Sequence, residues 1–211
     1  EFAALYCAEI FSFENGVKLV AKRGELMDDA CLENKGAMAS ILGGDPGLIG
    51  EVCAEYGIDV ANLNCPGQIV VSGEAEKVAA AAGELKEKGI KKIIPLKVAG
   101  AYHSRLMSGA SAKFAKELEN VKIARPSVPV AQNIVGGFVN NPDEIKANLA
   151  KQVSGSVRWE ECAKTICNDG VERMIEFGPG TVLAGLMKRI NPAIKTFNIN
   201  SAKSIADFNW I

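Results

Sequence analysis

The sequence contains a single histidine, His103, and lacks the Gly-x-Ser-x-Gly segment that presents a nucleophilic serine between a strand and a helix. Its six cysteines form no Cys-x-x-Cys pair, so neither a zinc site nor a disulfide scaffold is indicated. No apolar run approaches the roughly 18 residues of a membrane span, and no secretory signal is visible. The formal net charge of −1 offers no overall attraction to nucleic acid. We therefore expect a cytoplasmic protein with no metal or cofactor and no membrane or nucleic-acid partner.

The composition that is present suits a globular protein, since 48% of the 211 residues are hydrophobic and 23% are charged. The chain opens on EFAALYCAEI, in which Phe2, Leu5, Tyr6 and Ile10 have helical spacing. No Ser, Thr, Asp or Asn precedes them as a helix cap. We therefore expect the sequence to begin inside a helix, either as a fragment or after loss of an upstream segment.

The first 98 residues divide into two kinds of pattern. A helix over residues 2–12 is expected to break at FENG, and a second helix is expected from about Gly16 to Ala30, followed by a loop at LENKGA. Residues 36–98 then read as β-α-β-β-α-β, with Gly57 ending the first of these helices. That order predicts a compact inserted unit of the split, ferredoxin-like type.

Strands and helices alternate in the remainder of the chain. The alternation predicts a parallel sheet covered by helices, and hence the α/β class. The predicted strands are VPVAQNIV, VERMIEFG and IKTFNIN, and the predicted helices are SRLMSGASAKFAKELEN, NPDEIKANLAKQV, SVRWEECAKTICNDG and PGTVLAGLMKRI.

His103 is compatible with a packed core position and equally with catalysis. It follows a predicted strand through Gly100 and Ala101 and precedes a helix, and strand ends are where sites gather in open α/β sheets. A neutral imidazole there could act as a general base. The adjacent Ser104 is poorly placed as its nucleophile, and the best internal thiol is Cys65 in the turn NCPGQ, which is also readily explained as a small turn residue.

Other candidate residues also have ordinary alternatives. Arg23 could clamp a carboxylate through two parallel donors, or could be a solvated helix charge. A side-chain or backbone carbonyl at Gln152 could orient a histidine ring. The segment EFGPGTVLAGL fails the dinucleotide-binding spacing because Leu183 replaces the third glycine. A lysine-rich run could be a solvated face or could dock an acidic or phosphorylated partner, and it contains Lys86, Lys88, Lys91, Lys92 and Lys97.

An ordered set of segments resembles the malonyl-CoA:acyl-carrier-protein transacylase family. The segments are EFAALYCAEI, VAKRGELM, GAMASILG, NCPGQIVVSGE, KKIIPLKVAGAYHSRLM, PVAQNIVG, LAKQVSGSVRWEE and IEFGPGTVLAGLMKRI. The resemblance implies an α/β-hydrolase-like large domain over residues 1–35 and 99–211. Its first strands would be missing, and a ferredoxin-like subdomain over residues 36–98 would interrupt it.

In this family the nucleophilic serine lies in Gly-His-Ser-Leu-Gly, usually followed by glutamate, and an earlier Gly-Gln-Gly motif helps to build the oxyanion hole. The chain opens at the matching Glu1, so the resemblance implies that the serine lies upstream of it. The fragment alone is then expected to be inactive. It is also expected to be poorly stable, because a sheet without its first strands exposes an edge and an apolar face.

The resemblance implies malonyl transfer from CoA to the phosphopantetheine thiol of acyl carrier protein in fatty acid biosynthesis, through a seryl acyl-enzyme. His103 matches the catalytic base, and Gln152 matches the residue that holds its ring. Arg23 matches the malonyl carboxylate clamp. The other matching positions are Met27 in the malonyl pocket, Asn64 and Gln68 near the cleft, and Lys91 and Lys92 for CoA phosphates or the acidic carrier.

Tyr102 stands where related acyltransferases with an aromatic residue prefer malonyl and those with a small residue prefer methylmalonyl. A bulky ring would fill the space of an α-methyl group, and one methyl is worth only about 1–3 kcal/mol. A preference for malonyl is therefore expected. A monomeric full-length enzyme is a separate expectation. Two alternatives remain: a Cys65/His103-dependent acyltransferase or hydrolase, and a non-catalytic module that docks a carrier protein.

Overall fold

The structure, a computed structural model, describes residues 1–209. The helices in this range are α1 (Phe2–Cys7), α2 (Phe13–Glu33), α3 (Pro46–Tyr56), α4 (Ala75–Glu87), α5 (Ser108–Glu119), α6 (Pro142–Lys151), α7 (Trp159–Asn168), α8 (Val182–Ile190) and α9 (Ala202–Ala206). The strands are β1 (Gly36–Leu42), β2 (Asp59–Cys65), β3 (Gln68–Glu74), β4 (Lys92–Pro95), β5 (Ala131–Gln132), β6 (Gly137–Phe138), β7 (Arg173–Phe177) and β8 (Lys195–Ile199).

The break between the first two helices lies before FENG rather than at it. Ser12 caps α2, its Oγ accepting a hydrogen bond from the backbone N of Asn15 at 3.3 Å, so FENG forms the first helical turn. The chain reverses instead at Glu9, whose φ of 61° lies in the left-handed region. The predicted start at Gly16 and the predicted loop at LENKGA were therefore wrong, since α2 also continues to Glu33.

Residues 36–98 form the predicted β-α-β-β-α-β order. The sheet order is β2-β3-β1-β4, with every neighbouring pair antiparallel. One face of the sheet, which includes Ile41 and Val71, packs against α3 and α4, and Met38 and Val70 belong to the opposite face. Gly57 ends α3 in the left-handed conformation, as expected. Treatment of this unit as a separate subdomain stays a prediction.

The predicted parallel sheet is represented, within residues 1–209, by two strands. Strands β7 and β8 are parallel, with Arg173 paired to Lys195 at one end. The strand expected over VPVAQNIV was wrong in length and partner, because only β5 forms there and it pairs antiparallel with β6. The carbonyl oxygen of Gln132 accepts hydrogen bonds from the backbone N of Val135 and of Gly136, which turns the chain back at once. The mixed helix and sheet content is that of the predicted α/β class.

A loop at residues 96–104 lies between the two main packed regions. Helices α1, α2, α5 and α6 bury one core around Leu5, Phe114 and Leu149. Tyr102 packs against this helical core and also against the sheet face that carries Met38. The loop that carries His103 is therefore held from both sides. In the described part of the chain, no helix has both the length and the apolarity needed to cross a bilayer.

Candidate functional site

His103 borders a cavity of about 140 Å³ at the meeting point of α1, α2 and α6. The cavity is lined by Glu1, Phe2, Arg23, His103, Asn133, Leu149, Gln152 and Val157. One cation, one carboxylate and one imidazole thus share a small space with apolar walls. None of these lining residues is a serine, threonine or cysteine.

The sequence suggested that His103 follows the end of a strand in an open α/β sheet. In the structure, close contacts shape the His103 loop instead. Strand β4 ends at Pro95 and belongs to the small antiparallel sheet. His103 itself has a φ of 57°, in the left-handed region. Gly100 passes so near α2 that a β-carbon there would lie 2.4 Å from Sγ of Cys31. The loop can therefore approach α2 this closely only because position 100 has no side chain.

The neighbouring Ser104 serves the backbone. It is fully buried, and its Oγ donates to the carbonyl oxygen of Ala101 at 2.7 Å. Arg105 then ties the loop to β2, since its Nη2 lies 2.8 Å from Oδ1 of Asp59 and its Nε 3.0 Å from Oδ2. These bonds agree with the expectation that Ser104 is not the nucleophile of His103.

The imidazole of His103 is held by main chain at the end of α6. Nδ1 lies 2.9 Å from the backbone carbonyl oxygen of Gln152, so Nδ1–H donates and Nε2 is left as the basic nitrogen. The Gln152 side chain takes another direction, because its Nε2 donates to the carbonyl oxygens of Gly155 at 2.9 Å and Ser156 at 3.4 Å. The contact between the two residues is therefore a backbone one.

Burial and charge keep His103 neutral. Burial lowers the pKa of the imidazole, and the charge of Arg23 lowers it further, although the carbonyl oxygens of Gln152 and Gly155 act in the opposite direction. An imidazole whose pKa lies below its ordinary value of about 6.5 is mostly unprotonated at neutral pH. The imidazole is thus in the state that a general base requires.

Arg23 presents a guanidinium to the same cavity from α2. Burial lowers its pKa, and the charge of Glu1 opposes that effect. Among residues 1–209, no hydrogen bond or ion pair within 4.0 Å engages its side chain, although ion pairs form elsewhere in the chain. A partly buried cation without a protein partner is suited to an anionic ligand.

Glu1 and Asn133 also line the cavity, although the sequence analysis named Glu1 only as the match to the glutamate after the serine segment and did not name Asn133. Oε1 of Glu1 accepts from Nε2 of Gln132 at 2.9 Å, and Oε2 accepts from the backbone N of Asn133 at 3.1 Å. Gln132 is fully buried, and its Oε1 accepts from Nδ2 of Asn148 at 3.0 Å. The sequence signal that could have revealed Asn133 was the Gln-Asn pair within the apolar segment PVAQNIV.

Two residues assigned to the malonyl pocket lie beside the cavity without lining it. Met27 follows Arg23 by one helical turn, but its side chain is buried in the helical core. Tyr102 is half-buried, and burial, followed by the neighbouring Cys31 thiol, raises its pKa to about 12. Met27 thus lies on the helix that carries Arg23, and Tyr102 lies on the loop that carries His103.

Asn64 and Gln68 lie on β2 and β3 of the small sheet and do not line the cavity, although the backbone of β2 is hydrogen-bonded to the lining residue Val157. Oε1 of Gln68 accepts from Nη1 of Arg189 at 3.0 Å and lies 3.6 Å from Sγ of Cys65. Cys65 is buried, and this burial raises the pKa of its thiol. Cys65 is also not among the residues that line the His103 cavity.

Two further sequence features have clear placements. Lys91 and Lys92 are exposed at the start of β4, as are Lys86, Lys88 and Lys97 nearby. At the start of α8, the carboxylate of Glu176 accepts from the backbone N of Leu183 at 3.0 Å and of Ala184 at 2.9 Å. Those amides are occupied, which excludes a phosphate loop there. The described chain also shows no cluster of three His, Cys, Asp or Glu residues able to hold a metal.

Comparison with known proteins identifies relatives of one kind. No protein-family profile matches the chain. It is 40% identical over 210 residues to the malonyl CoA-acyl carrier protein transacylase of Bacillus subtilis. The aligned region covers 97% of this chain and 66% of that protein. It is 35% identical to the enzyme of the same name from Staphylococcus aureus, covering 99% of this chain and 70% of that protein.

A solved structure gives the same result. The crystal structure of an acyl carrier protein S-malonyltransferase from Vibrio cholerae matches with a TM-score of 0.92 at 36% identity. The match covers 98% of this chain and 69% of that chain. The chain thus spans about two thirds of the length of the relatives that it resembles.

Proposed function

The chain belongs to the malonyl-CoA:acyl carrier protein transacylase family, and from this we propose that it carries the base and the carboxylate-binding group of a malonyl transfer reaction. The observation that supports this most directly is that His103 and Arg23 line one cavity. The donor would be malonyl-CoA, the acceptor the phosphopantetheine thiol of an acyl carrier protein, and the pathway fatty acid biosynthesis.

Arg23 binds the free carboxylate of the malonyl group. A guanidinium offers two parallel donors to a carboxylate, and the absence of a partner for Arg23 within residues 1–209 leaves both available. Desolvation in an apolar cavity strengthens this pairing. The malonyl group is thereby held with its thioester end near His103.

His103 acts as the base in two successive acyl transfers. Nε2 takes the proton of a serine hydroxyl as the oxygen attacks the thioester carbon, and CoA leaves with the proton that restores its thiol. The carrier thiol then loses its proton to Nε2 and attacks the seryl ester, which returns the serine hydroxyl. The backbone carbonyl of Gln152 stabilises the imidazolium formed in each step.

The serine of this reaction comes from a Gly-His-Ser-Leu-Gly segment outside the 211 residues. The absence of serine, threonine and cysteine from the lining of the described cavity supports this assignment. The 211-residue chain by itself is then inactive in malonyl transfer. The seryl residue would lie close to Glu1, which matches the glutamate that follows the segment.

The remaining assignments concern specificity and docking. Tyr102 favours malonyl over α-methylated acyl groups, and Met27 supports the same pocket from α2. Asn64 and Gln68 serve the approach to the cleft. The exposed Lys91 and Lys92 bind CoA phosphates or the acidic carrier protein, since cations on an open surface attract such partners.

The same proposal covers the organisation of the protein. Residues 1–35 and 99–211 form a large acyltransferase domain, and residues 36–98 form a small ferredoxin-like subdomain. The full-length enzyme is a cytoplasmic monomer that needs no metal or cofactor and has no membrane or nucleic-acid partner. Gel filtration of the full-length enzyme and activity after exhaustive dialysis against a chelator test these statements.

The function is tested by supplying the missing segment. The part of the Bacillus subtilis relative that precedes its matched region is fused before Glu1, and transfer of radiolabelled malonyl from CoA to acyl carrier protein is measured. The fused protein should transfer malonyl, whereas the 211-residue chain should not.

Two variants of the fused protein locate the chemistry. His103→Asn should reduce kcat by at least about a hundredfold, because a general base contributes roughly that much or more. Arg23→Gln should mainly raise KM for malonyl-CoA and leave acetyl transfer little changed. Full activity in either variant, or transfer by the unfused chain, would contradict the proposal.

A further inference from the structure

Glu1 faces the cavity that contains Arg23, and we propose that it is a specificity-determining residue that discriminates against ligands carrying a second negative charge. The inference rests on the proposed function, because it concerns the same carboxylate site. It predicts that the site accepts a malonyl thioester, with one carboxylate, in preference to free malonate, with two.

The carboxylate of Glu1 is fixed in place by the protein. Its two oxygens accept one hydrogen bond each, from Nε2 of Gln132 and from the backbone N of Asn133. Gln132 is in turn braced by Asn148, and both side chains are buried. A carboxylate bound by two donors and a buried support keeps its charge where it is.

Glu1 does not use that charge to neutralise Arg23 directly. Across the described residues, the ion pairs within 4.0 Å include neither Glu1 nor Arg23. The lining therefore contains one guanidinium and one carboxylate that do not pair with each other, and the carboxylate is held by Gln132 and Asn133. The arrangement leaves Arg23 open to a ligand while a negative charge remains nearby.

The charge balance of the cavity sets the selectivity. With His103 neutral and the nitrogen of Glu1 in a peptide bond to the proposed upstream segment, the side chains of the lining carry one positive and one negative charge. A ligand carboxylate pairs with Arg23, and the negative charge of Glu1 is then uncompensated. A second ligand carboxylate in a cavity of about 140 Å³ would be repelled by Glu1, whereas a neutral thioester would not.

Such discrimination has a consequence for the reaction. Free malonate, the hydrolysis product of malonyl-CoA, has the carboxylate that Arg23 binds and would otherwise compete for the site. Specificity of this kind comes from a repulsive element directed against the competitor. Glu1 supplies that repulsive element. It also weakens the positive potential around Arg23, which lowers the affinity for the single carboxylate of the substrate to a smaller extent.

The test uses the protein fused to the upstream segment, in which the nitrogen of Glu1 is in a peptide bond and carries no charge. Monomethyl malonate, a monoanion, and malonate, at a pH where it is a dianion, are each tested as competitive inhibitors of malonyl transfer from malonyl-CoA. The unaltered fused protein should bind the monoester about tenfold more tightly than malonate. In Glu1→Gln, malonate affinity should rise by about tenfold and monoester affinity by less, so that the preference narrows.

Three variants make the result interpretable. Glu1→Asp retains the charge and should retain the preference, which separates charge from hydrogen bonding. Glu119→Gln removes an exposed carboxylate at the end of α5 and should change neither affinity. Arg23→Gln should abolish binding of both probes.

The outcomes separate the two proposals. If the fused protein does not transfer malonyl, or if Arg23→Gln binds both probes as the unaltered fused protein does, the proposed function is wrong and this inference with it. If the fused protein transfers malonyl but neither probe inhibits it, or if malonate binds as tightly as the monoester, the inference alone is overturned. A preference that persists unchanged in Glu1→Gln would overturn it equally.

Discussion

The backbone carbonyl oxygen of Gln152 lies 2.9 Å from Nδ1 of His103, so the end of helix α6 holds the imidazole through main chain alone. A backbone acceptor cannot be removed by changing the side chain at position 152. It also directs the ring proton to Nδ1 and leaves Nε2 free to accept a proton. Two expectations about these residues follow directly.

The first concerns pH. Burial and Arg23 place the pKa of His103 below its ordinary value of about 6.5, which NMR titration of the single imidazole should show directly. Since the unfolded chain binds this proton more readily, the free energy of unfolding should be greatest above pH ~6.5 and should fall as pH decreases towards the lowered pKa.

His103→Gln should remove this part of the pH dependence, as chemical denaturation over a series of pH values would reveal. A His103 pKa at or above about 6.5 in the folded chain would contradict the buried, neutral imidazole.

The second concerns Gln152→Ala. The Nδ1–H tautomer of His103 should persist in this variant, because the acceptor is backbone, and imidazole ¹⁵N shifts report the tautomer. The free energy of unfolding should fall by about 1–3 kcal/mol, because the carbonyls of Gly155 and Ser156 lose their donor. A shift of the proton to Nε2 would show instead that the Gln152 side chain orients the ring.

Gly100→Ala should disturb the His103 loop. The added β-carbon would lie 2.4 Å from Sγ and 2.9 Å from Cβ of Cys31, closer than packed atoms allow. Overpacking of this kind costs about 1–3 kcal/mol, measurable by urea denaturation, and the His103 NMR signals should shift.

Cys31→Ala should restore part of the stability that Gly100→Ala removes. A matched control is Gly83→Ala in α4, where an added β-carbon meets nothing within 4 Å. That change should be neutral or stabilising by up to about 1 kcal/mol. Equal stability losses at the two glycines would contradict the contact between Gly100 and Cys31.

Cys65 should behave as an inert buried thiol. Its raised pKa and burial predict slow alkylation by iodoacetamide, at least about tenfold slower than the exposed Cys7, as mass spectrometry of the digested protein would show. Cys65→Ala in the fused protein should keep malonyl transfer within about threefold. Loss of transfer in that variant, with folding intact, would favour the cysteine-dependent alternative.

An apolar surface on the first two helices predicts self-association of the 211-residue chain. Tyr6, Phe13, Val17 and Val20 are each 45% exposed or more, and the last three share one side of α2. The chain should bind a hydrophobic dye, and on heating it should aggregate rather than melt reversibly. Val17→Lys should reduce association in analytical ultracentrifugation, whereas Val128→Lys, at an exposed valine in a loop, should not. A monodisperse chain with a cooperative, reversible melt would contradict this.

Local signals accounted for the elements that were predicted well. The Asp45 cap and the left-handed Gly57 bound α3, and short apolar runs mark β1 and β3, so the small sheet could be predicted from the sequence. The helix break was predicted at FENG, whereas the cap at Ser12 makes these residues the first turn of α2. VPVAQNIV was predicted as one strand, whereas hydrogen bonds from the backbone N of Val135 and Gly136 to the carbonyl oxygen of Gln132 end the strand after two residues.

What the sequence determined by itself was the inventory of chemistry and its order along the chain. One histidine, one arginine in VAKRGELM and no nucleophilic elbow left the roles of these residues open, and the resemblance to the transacylase family then indicated a base, an anion-binding group and Gln152 as the partner of the ring. Only the tertiary structure decided that the Gln152 contact is a backbone one, that Met27 and Gln68 lie outside the cavity lining, and that Glu1 lies inside it. The reason is physical: these outcomes depend on contacts between residues far apart in the chain, such as Glu1 with Gln132, which no local periodicity encodes.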